Sequence, residues 1–263
     1  LVATFWREVK QRADEITGGH VDRLLLGRPA LYSTSAEADQ LAENRMRAGA
    51  LQAGFQEIAF CPEPLAAARN FHRTLEEERI VLIADFGGGT SDFTVMKMHP
   101  GHFRAEDVLA IGGLSIAGDH LDGMIMQHWV SPHFGAKVRY KLPMGSNELG
   151  LPKQLVRKMC SAPDIALLGR RDVMKLLRDA QRWSLSDDDK IAMERLFTLV
   201  EEHLGYQLFR SIESAKVNLS DATEAQFSFH KLDIEIEQNI FRADFLSVSS
   251  PLVARMILSL IHI

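Results

Sequence analysis

Apolar residues recur along this chain at helical spacing in some stretches and in short unbroken runs in others, and the two rhythms alternate. Val2, Phe5, Trp6 and Val9 share one face of a helix predicted over Leu1 to Ile16, which Gly18 and Gly19 stop. The run Val21 to Leu26, closed by Gly27 and Pro29, predicts a buried strand. Ser33, Thr34 and Ser35 are cap candidates for a helix over Ala36 to Ala53, ended by Gly54. A short strand follows at Ile58 to Phe60, and Pro64 suits the first turn of a helix entering at Leu65. Ile80 to Ala84 predicts a fully apolar strand, residues 87 to 89 a glycine turn, and Phe93 to Met98 the returning strand. Val108 to Ile111 is a further strand, and Gly112 and Gly113 lead into a helix over Gly118 to Trp129.

Between Ser131 and Ser161 the rhythm fails. Pro, Gly and Lys without a clear period predict an irregular surface excursion there. A helix follows over Arg171 to Arg182, then one long helix over Ile191 to Asn218. Its stripe Leu204, Leu208, Ile212, Ala215 and Leu219 is spaced four, four, three and four apart. Ala225 to His230 and Asp233 to Glu237 alternate as a hairpin, and a last helix starts near Arg242. Strands of a mixed sheet with intervening helices place the chain in the α/β class.

Composition narrows the function. The 263 residues suffice for one large domain or two modest ones, and 46% hydrophobic with 25% charged residues is ordinary for a soluble globular chain. No run approaches the roughly 18 consecutive apolar residues of a membrane helix. A net charge of −5 exerts no long-range pull on nucleic acid or anionic lipid, so neither partner is expected. Two distant cysteines, Cys61 and Cys160, suit a reducing cytoplasm. His20, His120 and His133 lack metal-ligand spacing. The chain opens at Leu1 without the features of a signal peptide. Leu258 to Ile263 reads as the translated end of a sequencing adaptor, which predicts a reading frame cut at both ends.

The most informative segment is Ile83-Ala84-Asp85-Phe86-Gly87-Gly88-Gly89-Thr90-Ser91-Asp92-Phe93. An apolar strand delivers Asp85 at its end, and the bare backbone of Gly87, Gly88 and Gly89 lets N–H groups converge on an anion. Thr90 adds a hydroxyl. Asp85 and Asp92 flank the turn, where carboxylates can hold a hydrated divalent cation or orient a water. No Gly-Lys-Ser/Thr follows, so this is not a P-loop.

The segment resembles the second phosphate signature of the actin-like ATPase superfamily in its heat shock protein 70 (DnaK-type) form, with Ala84 where a larger residue is usual. Pro62-Glu63-Pro64-Leu65-Ala66-Ala67-Ala68 is similar to that family's Glu-Pro-x-Ala-Ala-Ala, which has Asn at the position of Pro62. Gly27-Arg28-Pro29 matches its strand-ending turn. Gly112 to Asp122 matches loosely, keeping Gly112, Gly118 and Asp122. Glu213-Ser214-Ala215-Lys216-Val217-Asn218-Leu219-Ser220 resembles Glu-x-Ala-Lys-x-x-Leu-Ser, with Val217 where a cation often stacks on adenine. Glu213, Lys216, Val217 and Ser220 fall on one helical face.

The resemblance implies a partial actin-like ATPase (ribonuclease H-like) fold of mixed sheets with flanking helices. It implies ATP or ADP with Mg²⁺ as ligands. Glu63, Asp85 and Asp92 would be catalytic and hold the metal, Glu63 through water. Gly87, Gly88, Gly89, Thr90 and Gly118 would hold the phosphates, and Glu213, Lys216 and Ser220 the adenosine. Residues 1–83 correspond to the second half of lobe I and 84–130 to the phosphate turn and start of lobe II. Residues 131–240 correspond to the outer part of lobe II, 241–257 to a return helix and 258–263 to a non-native tail. The stretch Ser131 to Asp189, with His133-Phe134-Gly135 and Leu151-Pro152, is similar to the YegD-like branch. The implied parent is a chaperone-like, slowly hydrolysing ATPase that binds client or co-chaperone proteins. The first phosphate loop and last adenosine motif of the family are missing, so weak ATP binding or none is expected of these residues alone. The alternatives are an actin-like filament protein, which would not need the Glu213 to Ser220 motif, and a small-molecule kinase, for which no sugar site is evident.

Overall fold

The fold is described from a computed structural model that covers residues 2–29, 32, 33, 35–72, 74–100, 107–143, 145 and 147–262. Leu1, Thr34 and Ile263, named above at a helix start, a cap and a tail, lie outside the described residues. Contacts divide the chain into two compact units. Unit 1 comprises Leu1–Phe86, Thr90–Ser115 and Ile257–Ile263, and unit 2 comprises Gly87–Gly89 and Ile116–Met256.

Unit 1 opens with helix α1 (Val2–Thr17), strand β1 (Arg23–Arg28), helix α2 (Ala36–Gln52) and strand β2 (Glu57–Pro62). β1 and β2 pair in parallel from Arg23↔Glu57 to Arg28↔Pro62, so α2 is the crossover that parallel strands require. Ser35 caps α2, its side chain accepting from the Ala38 N–H. Gly49 has no Cβ because one would stand 2.6 Å from the Val2 side chain, which is how α1 comes so close to α2. Helix α3 (Glu63–His72) begins directly at the end of β2. Strands β3 (Arg79–Phe86), β4 (Ser91–Met98) and β5 (Val108–Leu114) form an antiparallel meander with β4 in the centre. Phe93, Met96 and Met98 of β4 are buried, while Ile80, Leu82 and Phe86 of β3 and Leu109 and Ile111 of β5 are exposed. The strand expected to be buried throughout, Ile80 to Ala84, therefore alternates between half-buried and exposed positions.

Unit 2 holds the larger core. Helix α4 (Gly118–Ile125) runs on through a π-helical turn (Met126–Val130) and a 3₁₀ turn (Ser131–Phe134). A two-stranded ribbon, β6 (Arg139–Tyr140) with β7 (Leu149–Gly150), leads to helices α5 (Lys153–Met159), α6 (Arg171–Arg182), α7 (Asp187–Glu201) and α8 (Gly205–Asp221). The hairpin β8 (Glu224–Lys231) and β9 (Ile234–Phe241) and helix α9 (Arg242–Ile261) as far as Met256 complete it, the last residues of α9 being assigned to unit 1. Ala225, Phe227 and Phe229 of β8 and Ile234, Ile236 and Ile240 of β9 all enter one core, the period-two signature read from the sequence. The predicted stripe Leu204, Leu208, Ile212, Ala215 and Leu219 is buried throughout.

Two expectations are corrected. The long helix over Ile191 to Asn218 is two helices, because the chain breaks at His203, which takes a positive φ of 54°. Gly205 opens the second helix, where a Cβ would strike Ile165 at 2.7 Å. The stretch Ser131 to Ser161 is not a surface excursion: Phe134, Val138, Leu151, Leu155 and Met159 are core residues, carried on a 3₁₀ turn, the loops about the ribbon and the short helix α5. The expected absence of an unbroken apolar run of about 18 residues is not overturned by α9, which is long and apolar enough to cross a membrane by length and composition alone but is interrupted by Arg242, Asp244 and Arg255.

Candidate functional site

The sequence motifs fall into one cluster in each unit. In unit 1, Asp85 and Asp92 stand directly opposite each other in the β3–β4 ladder, one pair in from the end that the glycine turn closes. Opposed residues of an antiparallel pair project to the same face, so two carboxylates are held side by side. Like charges in that position are destabilising unless a cation intervenes. The Thr90 hydroxyl donates to Asp92 Oδ2 at 2.8 Å. The other carboxylate oxygen of Asp92 lies 2.7 Å from where a Cβ at Gly113 would sit, so β5 needs glycine there to make room for it. Glu63, the first residue of α3, reaches back over Gly27 of β1, its Oε1 3.4 Å from a Cβ built at that glycine. Burial, and then the charges of Asp85 and Asp92, raise the Glu63 carboxyl above the ordinary glutamate range. A concavity of about 620 Å³ beside Thr90 and Asp92 is lined also by Tyr32, Gly112, Gly113 and Ser115.

In unit 2 the glycine turn meets the start of α4. The Gly118 N–H donates to the Gly87 carbonyl at 3.1 Å and the Asp119 N–H to the Gly88 carbonyl at 2.7 Å. Two of the free amides that open a helix are thereby satisfied by the turn. The approach is close: a Cβ on Gly88 would stand 2.8 Å from Asp119 Oδ1, and one on Gly118 would stand 3.3 Å from the Gly87 carbonyl. Gly118 is held tightly against backbone, whereas at Gly88 the exposed Asp119 carboxylate would have to move aside. Gly89 faces open space, and the turn is exposed to solvent.

Lys216 of α8 comes to the same place. Its Nζ donates to the Gly118 carbonyl at 3.3 Å and pairs with Asp122 Oδ1 at 2.8 Å. Burial raises the Asp122 carboxyl, against the pull of the lysine. Glu213, by contrast, is exposed and ion-paired only loosely with Arg210 at 3.9 Å. Ser220 is exposed and lines, with Lys216, Val217 and Leu121, a separate concavity of about 410 Å³. So the structure gathers Gly87, Gly88, Gly118 and Lys216 in unit 2, and Glu63, Asp85, Thr90 and Asp92 in unit 1. Among the described residues no three His, Cys, Asp or Glu side chains converge as direct metal ligands.

Comparison with known proteins assigns the family. The Hsp70 protein family model matches residues 1–151, more than half of the chain. This chain belongs to the Hsp70 family. The chaperone protein HscA homolog of Shewanella woodyi is 31% identical over 127 residues, which are 48% of this chain and 19% of that protein. The HscA homolog of Vibrio atlanticus is 25% identical over 219 residues, 83% of this chain and 32% of that protein. HscA of Photorhabdus laumondii is 28% identical over 130 residues, 49% of this chain and 20% of its own length. The chain thus spans a fifth to a third of the curated relatives it matches. The mixed small sheets with flanking helices are those of a partial actin-like ATPase fold, and the match does not favour an actin-like filament protein.

The Hsp70 motifs left two features unread. One is Asp122 as the partner of Lys216, which the spacing of Gly112 to Asp122 contains but cannot pair across about a hundred residues. The other is Arg28, whose Nη2 takes both oxygens of Asp39 at 2.9 Å and whose Nη1 pairs with Glu43. All three side chains are largely buried, and Tyr32 stacks 4.9 Å from the guanidinium. This network ties the Gly27-Arg28-Pro29 turn to α2.

Proposed function

We propose that this chain supplies the second phosphate turn, the acidic residues and the adenosine-facing helix of an Mg·ATP site in a chaperone-like ATPase of the Hsp70 family. Gly87, Gly88, Gly89 and Thr90 offer backbone N–H groups and a hydroxyl to the phosphates, and Gly118 gives the turn its room. Glu213, Lys216 and Ser220 face the ribose and base. The observation that carries the reading is the opposed pair Asp85 and Asp92, whose charges also raise Glu63. Such a set seeks a cation. With no direct three-ligand set, the fit is to a hydrated divalent ion, reached by Asp85, Asp92 and Glu63 through water. Mg²⁺ bound there would neutralise phosphate charge. The protein's own contribution is positioning: the carboxylates orient a water, and the glycine amides hold the acceptor phosphate.

In this reading residues 1–83 belong to lobe I, 84–130 carry the turn, 131–240 form the outer part of lobe II and 241–257 return toward lobe I. The whole protein would act in the cytoplasm, coupling ATP to the binding of a client or co-chaperone protein, and would sit in the YegD-like branch. The affinity of these 263 residues alone is weak. Amide NMR of the chain titrated with Mg·ATP to millimolar concentration tests the site. Signals of Gly87, Gly88, Gly89 and Thr90 shift, and Gly88→Val abolishes the shifts. Perturbations confined to other residues refute the assignment, and a low-micromolar Kd refutes the weak affinity.

A further inference from the structure

The stretch Ser131 to Ser161 has a second property that the nucleotide reading does not use. It carries six cations, Lys137, Arg139, Lys141, Lys153, Arg157 and Lys158, against a single acidic residue, Glu148, in a chain whose net charge is −5. Four of those cations, Lys137, Arg139, Lys153 and Arg157, line one pocket of about 670 Å³ in unit 2. That is the volume range of small-molecule sites. Its wall is drawn from α5 and its C-terminal end, the β6–β7 ribbon, and the segment Ala136 to Val138 with Gln127. Lys153, Val156, Arg157 and Cys160 are spaced three, one and three apart and so share one face of α5 and its C-terminal end. Opposite, Arg139 is registered against Gly150 in the β6–β7 ribbon, and its guanidinium lies over that glycine, 3.5 Å from where a Cβ would be.

The pocket is layered by chemistry. Val138 and Leu151 are buried, and Ala136, Val156 and Cys160 are half-buried beside them, so the floor is apolar. Burial pushes the Cys160 thiol up to about 11, so it too stays uncharged. The four cations are exposed and stand at the mouth. Among the described residues, no ion pair to a carboxylate is formed by any of the four at this mouth. Asp189 approaches Arg139 only at its backbone N–H, 3.4 Å from Oδ2, and like charges crowded over an apolar cavity favour a ligand that brings both a negative group and an apolar body.

We propose that this pocket binds an amphiphilic organic anion, its carboxylate or phosphate head held by Arg139, Arg157, Lys137 and Lys153 and its apolar body on Val138, Leu151 and Val156. The site shares no lining residue with the glycine turn or with the Lys216–Ser220 concavity.

Calorimetric titration of the 263-residue chain with decanoate tests this below the micelle-forming range. The expected result is saturable one-site binding that weakens as salt is raised and as the tail is shortened to hexanoate. Arg139→Gln with Arg157→Gln weakens it about tenfold or more, one charge-assisted contact or better. Arg139→Lys with Arg157→Lys restores most of it, while thermal unfolding of both variants stays near that of the parent. Decanol binding as tightly as decanoate would remove the anion from the proposal. Inorganic phosphate binding as tightly as decyl phosphate would remove the apolar body. Absence of binding, or capture of a fluoresceinated Asp- and Leu-rich peptide that decanoate does not displace, would overturn it. Displacement of decanoate by Mg·ATP would do the same, since the two sites are separate.

Discussion

The two units solve the same packing problem with unequal means. Unit 2 gathers a large apolar cluster from six helices and a hairpin, including Phe134, Leu177, Leu196, Leu208, Ile212 and Phe227. In unit 1 the corresponding cluster is Ala68, Met96 and Met98, with Leu75, Val81 and Ile83 against it, and strand residues such as Leu25, Ile80 and Leu82 face outward. The charged groups differ in parallel. Unit 2 buries its carboxylate Asp122 against a lysine, whereas unit 1 leaves Asp85, Asp92 and Glu63 close together. Neutralised charge accompanies the dense core, and unneutralised charge accompanies the thin one. If the proposed cation site is right, its carboxylates must stay uncompensated in the cation's absence, and that costs stability locally.

The sharpest break of this contrast is in the cores. Phe227→Ala, at a fully buried position, should cost about 3–5 kcal/mol in urea unfolding, whereas Leu25→Ala, at a residue 68% exposed, should stay within about 0.5 kcal/mol. Equal losses would erase the distinction. Next comes the ion pair: Lys216→Met strands a carboxylate that is only 7% exposed and should cost about 3 kcal/mol. Adding Asp122→Asn should recover much of that, and a double-mutant cycle measures the coupling. Unit 1 has one compensated charge network of its own, so Arg28→Met should cost about 2 kcal/mol and loosen the Gly27–Pro29 turn, followed by hydrogen exchange at Tyr32.

The smallest effect is in the pH dependence. Glu63 holds its proton more tightly folded than unfolded, so its contribution favours folding at acid pH and is lost as pH rises through its raised value. Asp85→Asn removes one of the charges that raise it. The variant should therefore gain in Tm relative to the parent above the ordinary carboxylate range, by about 1 °C. Comparing the two melting curves between pH 4 and pH 7, without divalent ions, decides the sign.

Local rules read well wherever an element was amphipathic in a single direction. The β8–β9 hairpin and the Leu204 to Leu219 stripe were legible because alternation and helical spacing report which face is buried. The break at His203 was not legible, since a left-handed residue inside an apolar period leaves the period intact on either side. The Ser131 to Ser161 stretch was misread for the opposite reason. Its core residues enter from turns, a short ribbon and one seven-residue helix, none long enough to show a period.

By itself the sequence determined the α/β class, the order of the elements up to α4 and the family, along with the glycine turn and its flanking aspartates, because each depends on neighbours within a few residues. Only the tertiary structure decided that Lys216 answers Asp122, that Gly88 and Gly113 lie against two carboxylates, and that four cations of one irregular stretch ring a single apolar pocket. Those are meetings of residues far apart in the chain, and no local pattern encodes the partner on the other side.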